Sequence, residues 1–277
     1  MTVGCHPTRS GDFESHPGGP QGYLDELSGI LDANSAKIHG KQRGKAICLG
    51  ECGLDYDRLE FASAELQKKY FDLQLTLVEK YGLPIFLHCR GTCVQDFVDI
   101  MAPRMDSMEA AIGRSGNPPP SLPAGASNGH SSLAPPRRVG VVHSFTGTIE
   151  EMELLVSHGL FIGLNGCSLK TSENLEMVKV LPLERLILET DAPWCDLRST
   201  HASAEYLNAE TFPKELEALY RPASAKKEKH SKDKMIKTRN EPCTMGQVAA
   251  VVAAVRGLPL QTLAEIAENN TRWLFGL

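Results

Sequence analysis

The sequence has no apolar run that approaches the ~18 residues needed to cross a bilayer. Its opening, MTVGCHPTRS, also lacks the cationic start and the apolar stretch of a secretory signal. Because of these two absences, we do not expect a transmembrane or a secreted protein. We expect the chain in the cytoplasm, the nucleus or both, with no membrane partner.

No C-x-x-C pair occurs among the eight cysteines, which argues against a structural zinc knuckle. Disulfide scaffolds are typical of short secreted chains, whereas this chain has 277 residues and no export signal. The cysteines are therefore expected to be reduced and mostly buried.

Short apolar runs alternate with longer helical patterns along the chain. The apolar runs do not alternate with polar residues, which is typical of strands buried on both faces of a parallel sheet. They cover residues 1–5, 45–50, 84–88, 139–143, 160–164 and 185–190. The helical patterns cover residues 62–81, 148–158, 172–181, 244–255 and 260–275. This order predicts an α/β fold with six parallel strands.

Two stretches are predicted to be insertions into this pattern. Residues 113–136 hold six Pro, four Gly and five Ser, so they have too few apolar side chains to offset the entropy of ordering. Residues 225–237 are rich in lysine and are not expected to pack. We predict a disordered insertion at 113–136 and a lysine-rich loop at 225–237, both within a single domain that spans residues 1–277.

Ionisable side chains follow the predicted strands, at the point where each apolar run ends. Glu51, His88, His143 and Asp191 follow four of the runs, and His6 follows the first one. A single His in such a position more often has a structural role. The carboxyl ends of parallel strands meet at one face, however, so that several such residues together indicate a ligand-binding site.

Imidazole nitrogens and carboxylate oxygens together suit Zn²⁺, Mn²⁺ or Mg²⁺. Two such ions ~3.5–4 Å apart can hold the attacking and leaving oxygens of a phosphate displacement. A single Zn²⁺ with the same ligands could instead hydrolyse an amide or a lactone of a small molecule. The spacing of the ligands leaves both alternatives open.

Six short motifs distinguish between phosphodiester hydrolysis and the hydrolysis of a small molecule. They are VGCHP (3–7), LGECGLDYDR (49–58), FLHCR (86–90), VVHSFTGT (141–148), ETDAPW (189–194) and RNEP (239–242). In these motifs and in their order, the sequence resembles the TatD family of metal-dependent deoxyribonucleases, and a eukaryotic branch of it most closely. The resemblance covers nearly the whole chain apart from the two insertions. It implies a TIM-type (β/α)₈ barrel of the metal-dependent hydrolase kind. The implied reaction is hydrolysis of DNA phosphodiester bonds, by 3′-to-5′ exonuclease action or alternatively by endonuclease action.

The resemblance also implies roles for four residues. Glu51 matches the glutamate that bridges two metal positions, and His88 and His143 match the histidine ligands of one metal. Asp191 matches an aspartate ligand that also helps to activate the attacking water. Glu51 and Asp191 are therefore the candidate catalytic residues. Two divalent metal sites are implied, with Mg²⁺ expected and Mn²⁺ or Zn²⁺ as alternatives.

One departure from the family pattern concerns the start of the sequence. Family members begin with a strand that often ends in a metal-binding H-x-H motif, although in the branch resembled here other polar residues often replace those histidines. This sequence opens at what resembles the third strand, so the first two β/α units are expected to be absent. Such a barrel would be open, with two long apolar edges. An inactive or regulatory shortened product is therefore an alternative to an active enzyme.

Four further residues are candidates for binding substrate or supporting the ligands. His6 matches a turn near the family's substrate channel, although a His-Pro pair can simply shape a turn. Arg90 could bind a phosphate oxygen through its planar guanidinium, or else pair with Asp96. Arg239 and Glu241 belong to a motif beside the family's active site, and Glu241 could equally mark the start of a helix.

A basic run lies at residues 226–239, with seven Lys or Arg against two acids, in a chain whose net charge is −5. Such a run could hold a DNA backbone, but charge runs are more often solvated loops. No row of aromatic side chains accompanies it to stack on bases. The expected partner is single- or double-stranded DNA, and no protein partner is implied.

Overall fold

The computed structural model describes residues 1–34, 44–122, 134–207, 212 and 214–277. Within these ranges, six parallel strands form one sheet in sequence order. They are β1 (Thr2–Val3), β2 (Cys48–Asp55), β3 (Ile85–Arg90), β4 (Gly140–Val142), β5 (Phe161–Leu164) and β6 (Leu186–Leu188). Each overlaps one predicted run, so the prediction of a parallel α/β fold is confirmed.

Helices connect the strands and cover the sheet. In the described ranges they are α1 (Gly11–Ser15), α2 (Gly19–Asn34), α3 (Ala64–Tyr81), α4 (Val94–Met101), α5 (Met105–Ile112), α6 (Ile149–Ser157), α7 (Ser172–Val180), α8 (Lys214–Tyr220), α9 (Met245–Val255) and α10 (Leu260–Phe275). The longest, α3, begins where the Ser63 side chain accepts a hydrogen bond from the backbone of Leu66, and it ends at Gly82, whose φ is 59°. The five predicted helices therefore lie within two residues of the observed ones.

Two buried glutamines on α3 fix the ends of neighbouring strands. The Gln67 side chain accepts from the backbone N–H of Asp55 (2.7 Å) and donates to the Asp55 carbonyl (2.9 Å), at the end of β2. Gln74, two turns further along the helix, does the same for Cys5, just after β1. Because both backbone groups of each residue are satisfied, the strand ends are held in place beside the ligand-binding face.

Glu51 does not follow its strand, and this sequence-based expectation is wrong. Strand β2 continues to Asp55, and its register against β3 shifts between Gly50 and Cys52, so that Glu51 is the extra residue of a β-bulge. A bulge redirects a side chain without ending the strand. His88 likewise lies inside β3, two residues before its end at Arg90.

The two edge strands of the sheet are short. In the described part of the chain, β1 pairs with β2 alone and β6 with β5 alone, so this sheet does not close into a full barrel. The prediction of two long apolar edges is wrong, because β1 has two residues and β6 has three. Short edges offer few unpaired backbone groups to another strand.

The two insertions differ from one another. Residues 113–122 have no regular structure, yet Asn117 docks on the end of α10 by donating to the carbonyls of Arg272 (2.9 Å) and Leu277 (3.0 Å). Residues 123–133 of the predicted disordered insertion lie outside the described residues. The lysine-rich segment contains a small parallel pair, β7 (Ser224–Ala225) with β8 (Met235–Ile236), and its lysines are largely exposed.

No single helix in the described ranges is long and apolar enough to cross a membrane. Pro242–Val255 and Leu260–Phe275 pass this test of length and composition as a pair bent by 112°. Most of α9 is buried in the core, as are Leu263 and Leu274 of α10, so the apolar character of the pair is explained by packing.

Candidate metal centre

Three strands bring a carboxylate and two imidazole rings into direct contact. The Glu51 Oε1 atom lies 2.5 Å from His88 Nδ1 and 2.5 Å from His143 Nε2, and the two ring nitrogens are 3.1 Å apart. Both histidines are buried. His143 follows β4 directly, and its backbone N–H donates to the Leu87 carbonyl on β3 (2.9 Å). Parallel pairing of β3 with β4 thus places the two rings side by side.

His6 adds a third ring nitrogen to this cluster. Its Nε2 atom is 3.5 Å from Glu51 Oε1, and its ring lies edge-on to His88 with the centroids 4.6 Å apart. Its Nδ1 atom lies 2.7 Å from the Thr8 hydroxyl oxygen. His6 therefore shapes the turn before Pro7 and also faces the site. Ligand atoms of His6, Glu51 and His88 all lie within 4.8 Å of one another.

Asp55 contacts the His88 ring at Nε2, the nitrogen that faces away from Glu51. This carboxylate is fully buried, and its Oδ2 atom is 3.1 Å from His88 Nε2. The Nε2–H group therefore donates to Asp55, which leaves Nδ1 pointing towards Glu51. A carboxylate behind a histidine fixes both its tautomer and its orientation, and it strengthens the other nitrogen as a ligand.

Glu189 supports the second histidine. Its Oε2 atom is 3.7 Å from His143 Nδ1, while its Oε1 atom accepts from the backbone N–H of Ser144 and from the Asn165 amide (3.3 Å). His143 Nδ1 is buried and has no hydrogen-bond partner within the described residues. The Glu189 carboxylate, one residue beyond β6, therefore faces His143 as a nearby charge.

Asp191 lies beyond the end of β6, in a loop of unusual backbone conformation. Asp191 and Cys195 both have positive φ angles, 52° and 55°. The Asp191 Oδ2 atom accepts a hydrogen bond from the Cys195 thiol (3.2 Å). Burial raises the pKa of Asp191, and the thiol and the nearby His143 oppose that effect. The structure thus places Asp191 beside the cluster, with its carboxylate bonded to Cys195 rather than to the other predicted ligands among the described residues.

The protonation of the cluster differs from residue to residue. Burial raises the pKa of Glu51, but its hydrogen bonds with His143 and His88 outweigh burial and hold this pKa well below its ordinary value. Burial lowers the pKa of His143, yet Glu189 and Glu51 outweigh it and raise this pKa to about 10. Burial and the neighbouring His88 lower the pKa of His6 to about 4. An ionised carboxylate beside imidazoles can exchange protons for a metal ion.

The donor set fits a divalent metal. In the tautomer whose Nε2–H group donates a hydrogen bond to Asp55, the Nδ1 atom of His88 carries a lone pair that faces a Glu51 oxygen at 2.5 Å. Two lone pairs at this separation repel one another unless a proton or a cation lies between them. One carboxylate and several imidazoles are also the ligand types that Zn²⁺ and Mn²⁺ accept. Whether the site takes two ions stays a prediction.

The remaining predicted residues lie around the cluster. Arg90 ends β3, and its guanidinium makes no hydrogen bond or ion pair with any described residue. Asp96, its alternative partner, instead accepts from Tyr56 (2.5 Å) and Lys68 (3.1 Å). Arg239 is exposed in a groove of about 650 Å³ that also borders Cys195.

Glu241 has an exposed side chain just before a 3-10 helix at Pro242–Thr244, and this side chain forms no capping hydrogen bond. The preceding residue of the same motif, Asn240, is buried. Its amide donates to the Thr190 carbonyl (2.8 Å), and its backbone N–H donates to the Pro193 carbonyl (3.0 Å). Asn240, rather than Glu241, therefore holds the loop that carries Asp191.

Sequence reasoning did not assign Asp55, Glu189 and Asn240 to the site. Glu189 could have been found, because it belongs to the same ETDAPW motif as Asp191. The contact between Asp55 and His88 could not, because it depends on the bulge at Glu51.

Two grooves lie near the cluster. One, of about 970 Å³, contains Arg90 and Lys170, but acidic side chains outnumber them; these are Asp57, Glu150, Glu151, Glu173 and Glu176. The other is the groove of Arg239, which also contains Arg198 and Lys237. The ligand cluster itself opens into neither groove but into a smaller pocket of about 400 Å³ beside His6 and Glu51. The groove of Arg239 is therefore the basic one of the two, with four basic side chains against one acid, Asp196.

The fold and the site together define a metal-dependent hydrolase of the TIM-barrel kind, because imidazoles and carboxylates converge at the carboxyl ends of parallel β/α strands. A family model described as "TatD related DNase" matches residues 1–276. The chain belongs to this family, as its motifs predicted.

Individual relatives agree with this assignment. Deoxyribonuclease Tat-D of Schizosaccharomyces pombe is 41% identical over 274 residues, which cover 99% of this chain and 74% of that protein. The 3′-5′ ssDNA/RNA exonuclease TatD of Erwinia tasmaniensis is 31% identical over 258 residues, 92% of this chain and 75% of that protein. A crystal structure described as an uncharacterized amidohydrolase from Saccharomyces cerevisiae superposes with a TM-score of 0.75 at 36% identity, covering 98% of this chain and 78% of that one. The chain thus spans about three quarters of each of these proteins.

Proposed function

We propose that the chain is a divalent-metal-dependent deoxyribonuclease that hydrolyses DNA phosphodiester bonds from the 3′ end. The observation that carries the proposal is the contact of Glu51 with both His88 and His143, at 2.5 Å each, in a chain of the TatD family. The direction of attack is supported by the name of the Erwinia relative, which is a 3′-5′ exonuclease.

His6, Glu51, His88 and His143 are the residues that would hold the metal, with Asp191 at the next strand end. When bound, a divalent ion supplies the charge that lowers the pKa of water and neutralises a phosphate oxygen. Asp191 is partly buried, and burial raises its pKa, so its carboxylate suits the acceptance of a proton from the attacking water. The water oxygen then bonds to phosphorus while the bond to the 3′ oxygen of the neighbouring nucleotide breaks.

Basic side chains near the cluster would hold the rest of the strand, chiefly those of the groove of Arg239. The Arg90 guanidinium makes no hydrogen bond or ion pair with the described side chains, and a planar guanidinium can bind two phosphate oxygens at once. Lys170 lies in the same groove, and Lys237 and Arg239 lie in the groove on the Asp191 side. Contacts with phosphates alone would give binding that depends on salt but not on sequence.

The test is digestion of 5′-labelled single- and double-stranded DNA by the purified chain, in Mg²⁺, in Mn²⁺ and in EDTA. Asp191→Asn, purified in the same way, controls for contaminating nucleases. Asp99→Asn removes one carboxylate from the exposed face of α4 and controls for the change of charge.

We expect a ladder of products shortened from the 3′ end, which disappears in EDTA and falls about 100-fold or more in Asp191→Asn. Asp99→Asn should cleave like the unaltered chain. Folded protein that binds Mn²⁺ but cleaves no DNA would contradict the proposal and favour the inactive product. Cleavage that persists equally in EDTA and in Asp191→Asn would also contradict it.

A further inference from the structure

Two cysteines of adjacent loops lie in close contact beside Asp191. The Sγ atoms of Cys167 and Cys195 are 2.7 Å apart, although the residues are separated by 28 positions in the sequence. Cys167 follows β5, Cys195 follows β6, and both side chains are partly exposed. A covalent disulfide bond has an S–S distance of about 2.05 Å, so these thiols are about 0.7 Å from bonding distance.

The fold itself enforces this contact. An added Cβ atom at Gly166 would lie 2.0 Å from the backbone oxygen of Cys195, so only glycine allows the two loops to approach so closely. The Cys167 backbone N–H donates to the Asn165 side chain (2.9 Å), which fixes the first loop. Asn240 donates to the Pro193 carbonyl (3.0 Å) and fixes the second. Both loops are thus held from outside the cysteine pair.

The other six cysteines, all within the described residues, are placed differently. Cys5, Cys48, Cys52 and Cys93 are buried, and Cys243 is exposed on the surface. Cys89 and Cys93 lie 3.5 Å apart, but Cys93 has no exposed surface. The Cys167–Cys195 pair therefore combines the shortest sulfur–sulfur contact with access from solvent.

We propose that Cys167 and Cys195 form an oxidisable dithiol site, which hydrogen peroxide converts into a disulfide bond. Nothing in the motifs or the relatives of the chain assigns this chemistry to the pair. Its formation does not depend on the nuclease activity, because the oxidant and both thiols are sufficient.

The reaction proceeds in two balanced steps. The Cys167 sulfur attacks one oxygen of the peroxide, the O–O bond breaks, and the departing oxygen leaves as water with the thiol proton. The Cys195 sulfur then attacks Cys167, the S–S bond forms, and the sulfenic hydroxyl leaves as water with the Cys195 proton. Two thiols lose two electrons in total, and one peroxide becomes two waters.

The surroundings of Cys167 support its role as the attacking group. The hydrogen bond from Cys195 lowers the pKa of Cys167 to about 7, against the opposing effect of burial, and the charge of Arg90 also lowers it. The thiolate is the nucleophilic form of cysteine.

The disulfide would change the surroundings of Asp191. In the reduced state the Cys195 thiol donates a hydrogen bond to Asp191 Oδ2 at 3.2 Å. A disulfide sulfur has no proton to donate, and the bond ties the Asp191 loop to the loop of Cys167. If the proposed nuclease function is correct, oxidation should lower cleavage by about fivefold, the equivalent of one neutral hydrogen bond.

The test begins with the reduced full chain, treated with a slight excess of hydrogen peroxide and then alkylated. We expect the intact mass to fall by two hydrogens, and digestion without reductant to give one peptide pair joined through Cys167 and Cys195. Cys167→Ser and Cys195→Ser should each abolish this mass change. Cys89→Ser and Cys243→Ser are the matched controls and should retain it.

The proposal would be overturned if Cys167 and Cys195 both remained reduced and were fully alkylated after the peroxide treatment, in protein that melts cooperatively. A disulfide that joins any other pair would also overturn it. Cleavage of DNA is a second readout, measured before and after peroxide and again after dithiothreitol. The unaltered chain should lose and regain activity, whereas Cys167→Ser should keep its own untreated rate. Absence of any nuclease activity would count against the proposed function and leave the mass readout unaffected.

Discussion

At the scale of single residues, the orientation of the ligands depends on side chains behind them. Asp55 accepts the Nε2–H of His88, Glu189 faces His143, and Asn240 holds the loop of Asp191. Their effect is to decide which nitrogen or oxygen each ligand presents.

Asp55→Asn tests this support most simply. The variant keeps the shape of the side chain but loses the charge that fixes His88, so we expect metal affinity or activity to fall about 10- to 100-fold. Titration calorimetry with Mn²⁺ measures the affinity. Asp99→Asn loses the same charge on exposed α4 and should bind Mn²⁺ like the unaltered chain. Unchanged Mn²⁺ affinity in folded Asp55→Asn would show that His88 needs no such partner.

The residues of the cluster were predictable from the sequence, but the extent of strand β2 and the side-chain contacts around the cluster were not. Glu51, His88 and His143 could be identified because each sits in a short motif at a predicted strand. Their motifs do not reveal that β2 runs on to Asp55, since the stretch GECG combines two glycines with an acid and looks unlike a strand. A half-buried carboxylate is tolerated inside this strand because two imidazoles contact it, and those contacts come from distant parts of the chain.

At the scale of elements, α3 links the first two strands to the site. Its buried glutamines satisfy backbone groups at the ends of β1 and β2, which would otherwise be unpaired inside the protein. The apolar periodicity of α3 was evident from the sequence, but it does not distinguish a glutamine that faces solvent from one that faces a strand. The positions of the helices were therefore predictable, whereas the polar contacts that hold them on the sheet were not.

Gln67→Leu should destabilise the protein by about 2–4 kcal/mol, because it leaves the buried N–H and carbonyl of Asp55 without partners. Urea unfolding followed by circular dichroism measures the change in the free energy of unfolding. Gln95→Leu, on the exposed side of α4, makes the same chemical change and should cost no more than about 0.5 kcal/mol. Equal effects of the two substitutions would show that the hydrogen bonds between Gln67 and the backbone of Asp55 contribute nothing to stability.

At the scale of the whole molecule, a short-edged sheet of six parallel strands carries a cluster of imidazole rings around the Glu51 carboxylate. The net charge of −5 does not by itself oppose binding of DNA, because four basic side chains and one acid line the groove of Arg239. Sites of this kind couple metal binding to folding, since the ligands come from strands that are adjacent only in the folded state.

Mn²⁺ should therefore stabilise the folded chain. At a free concentration of 100 times its dissociation constant, the gain is expected to be about 2.7 kcal/mol, visible as a rise of several degrees in the melting temperature. His143→Ala should lose this metal-induced rise, whatever its own melting temperature is. His230→Ala, in the exposed lysine-rich segment, should keep it. A rise of equal size in His143→Ala would place the stabilising ion elsewhere.

The most direct test of the central claim compares the unaltered chain with Glu51→Gln in the digestion of 5′-labelled single-stranded DNA with Mg²⁺. Glu51 contacts both histidines, so loss of its charge should reduce cleavage about 100-fold or more in protein that remains folded. Glu65→Gln, an exposed change at the start of α3, should cleave normally. Undiminished cleavage by Glu51→Gln would contradict the assignment of the nuclease site to this cluster.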